Sequence, residues 1–123
     1  MKALYIKAQE DTPEVILDKD KKIFEISERS LPENAISFYE PIINWLQEYK
    51  NSPLDETIFK FKLEYFNTAS AKQIAKILLE LQEIAKVSKV KILWYYHKDD
   101  TDMLTSGLRF SKLLNIPFEF IEI

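Results

Sequence analysis

Between Thr57 and Val87 the hydrophobic period changes from two to about 3.6 residues across a gap of a few positions, which restricts the chain to folds that set helices against a sheet. In the stretch Thr57 to Phe66, Phe59, Phe61, Leu63 and Tyr65 point one way while Lys60, Lys62 and Glu64 point the other. This is a strand with one wetter face. From about Ser70 to Val87, Ile74, Ile77, Leu78, Leu81, Ile84 and Ala85 fall on one helical stripe, opposite Lys72, Lys76, Glu80 and Glu83. The switch then recurs. Val90 to Tyr96 reads as an aromatic-rich strand, Asp100 to Leu114 as a helix with Asp100 and Asp102 near its positive end, and Pro117 to Ile123 as a last strand.

Upstream, Leu4 to Ala8, Glu14 to Asp18 and Lys22 to Ile26 read as strands, and the polar turn Lys19-Asp20-Lys21 makes the last two a hairpin. Ser30-Leu31-Pro32-Glu33 matches the Ser-x-x-Glu capping box and predicts a helix start there. The apolar run from Ile36 to Tyr49 has helical spacing but contains Pro41, which predicts a kink or brief break near Tyr39. The order β-β-β-α-β-α-β-α-β follows, and strands reached through helical crossovers run parallel. The expected class is therefore α/β: an N-terminal β-hairpin on a mixed, mostly parallel sheet with helices mainly on one face, the layout of STAS-like anti-sigma-factor antagonist domains.

At 123 residues and 46% apolar side chains, one domain spanning 1–123 is expected, with no internal repeat, low-complexity segment or linker. Several function classes are excluded by composition. The formal charge of -3 supplies no basic field for nucleic acid. There is no cysteine for a disulfide, thiol nucleophile or thiolate metal site, and the single histidine, His97, cannot build a multi-histidine zinc site. One glycine, Gly107, leaves no Walker loop and no GxGxxG turn, and its place inside a helix points to close packing. No apolar run reaches the roughly 18 residues of a membrane span, and the opening MKALYIKAQE alternates like a strand, so a cytoplasmic protein without membrane insertion is expected.

Polar side chains crowd the junction where the strand ending at Phe66 enters the clearest helix. Asn67, Thr68 or Ser70 can cap that helix, and Ser70-x-x-Gln73 is itself a capping box. A hydroxyl here also sits at the carboxyl end of a strand, where free amides and the positive helix end favour an added phosphate. The segment His97-Lys98-Asp99-Asp100-Thr101-Asp102 is the other polar cluster. Its carboxylates could hold Mg²⁺ and its imidazole could move protons, although aspartates in a first turn are fully explained by free amides and the helix dipole. Trp45, Trp94, Tyr95 and Tyr96 read mainly as core, with Tyr95, which alternates away from its neighbours, as the one offered to a partner.

The run Lys62-Leu63-Glu64-Tyr65-Phe66-Asn67-Thr68-Ala69-Ser70 resembles the LEYFNT(S/A)S signature of the SiaC family of regulatory phosphoproteins. Further blocks agree: Thr12-Pro13-Glu14, Pro32-Glu33-Asn34-Ala35 with Phe38-Tyr39-Glu40-Pro41 and Trp45-Leu46, and Trp94-Tyr95-Tyr96 with Asp99-Asp100 and Asp102-Met103-Leu104. The resemblance implies that Thr68 is a phospho-acceptor, modified by a cognate serine/threonine kinase with a histidine-kinase-like ATP domain and restored by a PP2C-type phosphatase. It further implies a non-enzymatic protein without cofactor or metal. The unphosphorylated form would bind and activate an effector, a diguanylate cyclase, in cyclic di-GMP and biofilm signalling. Tyr65, Phe66, Asn67, Ser70 and Tyr95 are the expected partner contacts beside Thr68. The alternatives are an anti-sigma-factor antagonist in a partner-switching cascade and a small enzyme using the acidic cluster Asp99 to Asp102.

Overall fold

The computed structural model describes residues 1–123. In chain order the elements are β1 (Leu4–Ile6), β2 (Glu14–Asp18), β3 (Ile23–Ser30), α1 (Ala35–Tyr49), β4 (Glu56–Phe66), α2 (Thr68–Ile84), β5 (Lys89–Tyr96), α3 (Thr101–Leu113) and β6 (Phe118–Glu122). The six strands form one sheet whose spatial order equals the chain order. The first two pairings are antiparallel, with Val15 opposite Ile26 across the expected hairpin. The remaining three are parallel.

A sheet built in sequence order steps always to the same side, and each right-handed crossover then places its helix on the same face. All three helices accordingly cover one face: Tyr39 of α1 bonds Ser30, Ile74, Ile77 and Leu78 of α2 enter the core, and Gly107 of α3 lies on Trp94. The core is one cluster of 22 residues between the helices and Val15, Leu17, Phe24, Ile26, Phe59, Phe61, Leu63, Val90, Ile92 and Trp94 of the sheet. The other face is uncovered and mixes Ile16 and Leu93 with ion pairs from Lys62 to Glu25 and Lys91 to Glu119. This mixed, mostly parallel sheet with one-sided helices and an N-terminal hairpin is the α/β class expected from the periodicity.

Three local expectations need correction. The strand read as ending at Ile26 continues to Ser30, which pairs with Phe66, through a register shift between Glu28 and Arg29 where Glu28 takes φ 74°. Ser30 is therefore a strand residue, and the capping box from Ser30 does not form: Asn34 caps α1 by accepting the Ser37 amide at 3.1 Å. Of the kink or brief break expected near Tyr39, the break does not occur, since α1 runs on through Pro41. Proline removes a single amide donor, and Tyr39, Ile42, Trp45 and Leu46, buried on both sides of it, hold the helix in place. Finally, α2 starts at Thr68 with Asn67 as its cap, two residues before Ser70.

Candidate functional site

Thr68 occupies the first turn of α2 because the chain leaves β4 at Phe66, passes through Asn67 in an extended conformation and turns helical at once. The Asn67 side chain accepts the Ser70 amide at 2.9 Å, which satisfies one of the helix's free donors. Two further contacts tie this turn to the end of β3: the Asn67 amide donates to the Ser30 carbonyl at 3.2 Å, and the Ser70 hydroxyl donates to the same oxygen at 3.0 Å. Thr68 is thus bracketed by two residues anchored on one carbonyl. Its own side chain is exposed.

Beneath the turn lies a chain of buried hydroxyls. Ser30 Oγ donates to Ser70 Oγ at 2.8 Å, and Tyr39 Oη lies 2.6 Å from Ser30 Oγ. Since the Ser70 proton goes to the Ser30 carbonyl and the Ser30 proton to Ser70, the phenol of Tyr39 must be the donor to Ser30 Oγ. Every proton has an acceptor, and Ser30, Tyr39 and Ser70 are all 0% exposed. Burial pushes the Tyr39 phenol above its ordinary pKa, outweighing the lowering influence of the neighbouring Ser30 and Ser70 hydroxyls, so it remains a donor. Ser70, an expected partner contact, is therefore sealed in the interior and fastens the turn from below.

Helices α1 and α2 both return from the carboxyl to the amino ends of parallel strands, so their amino termini meet on one rim. There Thr68 shares a hollow of about 500 Å³ with Glu33, Asn34, Ile36, Lys72 and Gln73. Lys72 stands one helical turn beyond Thr68, a neighbour readable from spacing of four on a helix. Glu33 and Asn34 come from the chain before α1 and had no such signal. The first amides of α2 have no partners inside the helix, and its positive end faces this rim. A phosphate on Thr68 would meet those amides and Lys72, with Glu33 as the opposing charge.

The remaining expected contacts are scattered. Tyr65 is exposed on the rim, with the Arg29 guanidinium 6.0 Å from its ring centre. Phe66 is half-buried, its ring edge-on to Trp94, and Asn67 is half-buried in its capping role. Tyr95 is half-buried on the uncovered face of the sheet, where Lys62 Nζ lies 4.9 Å from its ring centre, so the sheet separates it from the α1–α2 side. Trp94 is core, its indole donating to the Met103 carbonyl at 3.0 Å. Asp100 caps α3 by accepting the Met103 amide at 2.9 Å, and nowhere do three histidine, aspartate or glutamate side chains converge as metal ligands would. No helix is long and apolar enough to cross a membrane.

Comparison with known proteins covers almost the whole chain. The model of the SiaC family of regulatory phosphoproteins matches residues 6–123. An uncharacterised protein of Pseudomonas aeruginosa strain UCBPP-PA14 is 24% identical over 119 residues, 96% of this chain and 94% of that one. Among solved structures, SiaC of Pseudomonas aeruginosa superposes with a TM-score of 0.90 at 22% identity over 100% of both chains. A structure of the diguanylate cyclase SiaD in complex with its activator SiaC, also from Pseudomonas aeruginosa, matches with a TM-score of 0.91 at 22% identity, covering 98% of this chain and 99% of that one. At these identities the structural matches establish the fold.

Proposed function

The chain belongs to the SiaC family of regulatory phosphoproteins, and from that premise we propose that Thr68 is its phospho-acceptor and that it acts by binding partners, without turnover of its own. One observation carries the assignment to Thr68. Within the turn from Asn67 to Ser70 it presents the hydroxyl that reaches solvent, on a backbone fastened to β3, while the Ser70 hydroxyl is 0% exposed and fully bonded. A kinase can engage such a residue without unfolding the domain. The writer is a serine/threonine kinase with a histidine-kinase-like ATP domain, and the eraser a PP2C-type phosphatase.

The effector proposed is a diguanylate cyclase, supported by the shared fold with the Pseudomonas aeruginosa protein that activates SiaD. A phosphate adds a charge of about -1.5 to -2 at neutral pH, and the helix end with Lys72 can hold it with the fold intact. A cyclase seated over Tyr65 and Thr68 would have to desolvate that charge, at a cost of several kcal/mol and hence about a hundredfold or more in affinity. The unphosphorylated form is therefore the binding form. Calorimetry of both forms with the full-length diguanylate cyclase of the same genome tests this, after mass spectrometry has located the phosphate. Phosphorylated protein should lose binding, and Thr68→Ala should stay folded, resist the kinase and bind. Equal affinity of the two forms, or phosphate at another residue, refutes the assignment.

A further inference from the structure

The sheet ends differently on its two sides. At one edge β1 is three residues long with Lys2 and Lys7 on either side, the short and charged form that keeps an open edge from pairing. At the other edge β6 has no strand beyond it, runs in unbroken register with β5 from Phe118 to Glu122, and has no lysine or arginine between Leu113 and Ile123. Its outward backbone is fixed by the inner pairing. The Ile92 amide donates to the Pro117 carbonyl and the Ile123 amide to the Tyr96 carbonyl, both at 2.9 Å, so odd-numbered residues turn their N–H and C=O toward β5. Phe118, Phe120 and Glu122 therefore direct their donors and acceptors to the open side. Helix α3, which packs on β5 and β6, is apolar on both flanks. Around it from Gly107, which faces Trp94, Leu113 lies about 120° one way and Leu108 about 100° the other. Leu113 lines a cleft with Ala75 and Leu79 of α2, so Leu108, 40% exposed, and Leu104 one turn before it stand on the flank over the open edge.

We propose that β6 is the interface with a second copy of this chain, joined antiparallel to its own counterpart about a two-fold axis at Phe120. In that register the outward residues meet one another, Phe120 with the partner's Phe120, and Phe118 and Glu122 with the partner's Glu122 and the partner's Phe118. Each pair exchanges two backbone bonds, and the two sheets become one. A register changed by one residue sets outward groups against inward ones, and a change of two leaves one of the outward residues without its counterpart. The side chains agree. Glu119 lies opposite Ile121 and Glu122 opposite Phe118, so no glutamate faces a glutamate in a strand that carries both. The axis is perpendicular to the sheet, which keeps both helical layers on one face. Seated over β5 and β6, α3 stands about one strand spacing from the axis, so its two copies lie about 10 Å apart, an ordinary packing distance, with Leu104 and Leu108 between them. That matched flank selects a second copy over an unrelated strand, which would satisfy the backbone and leave Leu108 exposed. Thr68 stays free at opposite ends of the joined sheet, so the pairing is independent of its modification.

Sedimentation equilibrium of the wild-type chain should show monomer and dimer in exchange. Amide hydrogen exchange read by NMR should show protection of Phe118, Phe120 and Glu122 that grows with concentration, since a monomer offers these amides no acceptor. Glu122→Pro removes an outward donor without touching the bonds to β5, and Leu108→Glu sets a carboxylate in the seam; both sites are exposed, so each variant should keep the wild-type urea midpoint, which is checked first. Glu122→Pro takes one bond from each side of the axis and should weaken the dimer about thirtyfold, and Leu108→Glu, which buries two like charges, about a hundredfold. Leu113→Glu, on the other flank of the same helix, should leave it unchanged. A wild-type chain that stays monomeric up to about 1 mM overturns the interface. So does a dimer that survives in either folded variant, or one in which the amides of Phe118, Phe120 and Glu122 exchange freely, because the contact then lies elsewhere. Should a variant fail to fold, the wild-type amides decide.

Discussion

Replacing Ser30 by alanine removes the middle of the buried hydroxyl chain and leaves the Tyr39 phenol, 0% exposed, with a proton and no acceptor. The Ser70 hydroxyl still has the backbone carbonyl of residue 30 to donate to, so one buried donor is orphaned. A lost hydrogen bond costs about 1 kcal/mol net and an orphaned buried donor about 1–3 kcal/mol, so Ser30→Ala should destabilise by about 2–3 kcal/mol. Tyr39→Phe removes the terminal donor and orphans nothing, since Ser30 Oγ keeps its bond to Ser70. Its cost should be about 1 kcal/mol. The double variant is the decisive member of the set. Without the phenol there is nothing to orphan, so Ser30→Ala with Tyr39→Phe should be less destabilised than the two single losses combined, by about 1–2 kcal/mol. Urea unfolding followed by fluorescence of Trp94 and Trp45, both in the core, reads all of these. Additive losses, or a Ser30→Ala cost below about 1 kcal/mol, would show that the proton assignment along this chain is wrong.

Gly107→Ala would place a Cβ 2.5 Å from Nε1 and 2.6 Å from Cδ1 of Trp94, a ring 1% exposed. Overpacking of about 1–3 kcal/mol should outweigh the gain of about 1 kcal/mol in helix propensity, so the variant should lose stability in urea; a gain would show that the indole can move aside. At the sheet edge the Tyr5 phenol donates to the Asp18 carboxylate, and this bond, followed by that from the Lys21 amide, holds Asp18 below its usual pKa while the same partner raises Tyr5. A depressed carboxylate contributes stability that is complete above its unfolded pKa and lost as pH falls through the folded one. Asp18→Asn should therefore remove that part of the acid dependence of the urea midpoint between about pH 5 and about pH 3, and an unchanged acid limb would contradict the bond. Tyr5 should correspondingly ionise above the ordinary phenol range, its contribution being present below about pH 10 and lost beyond its raised pKa, as read by absorbance titration against Tyr5→Phe.

The elements were legible wherever one period dominated. Phe59, Phe61 and Leu63 alternate with lysines because one sheet face is dry and the other carries the Lys62–Glu25 pair, and the α2 stripe survives because Ile74, Ile77, Leu78 and Leu81 all meet one core. Ser30 was misleading because the letters of a capping box are the same whether the serine faces a helix amide or the interior. The choice was settled by β3 continuing through the shift at Glu28, whose φ of 74° no glycine announces. Capping was legible in part, because it needs only local backbone: of Asn67, Thr68 and Ser70 it is Asn67 that caps α2, and of the aspartates expected at the positive end of α3 it is Asp100 that caps it.

The site divides along the same line. By local chemistry Thr68 and Ser70 are alike, two hydroxyls at a helix start; the family resemblance singles out Thr68, and the neighbours brought by β3 and α1 supply the physical difference between them. The groove that runs between α1 and α2 from Thr68 to Glu80 was not readable, since its walls belong to two helices whose placement is set by the sheet beneath them. That division bears on how the protein would switch. Thr68, the proposed phospho-acceptor, stands in a turn tied to β3 by the Asn67 amide and the Ser70 hydroxyl, whereas the surface beside it exposes Ile36 and Leu79. Modification of Thr68 has little to gain by moving the backbone beneath it, where displacing Asn67 or Ser70 would strand buried donors. On the proposed reading a phosphate would act on the surface that Thr68 shares with Lys72, and a switch of this kind should change affinity while leaving the fold in place.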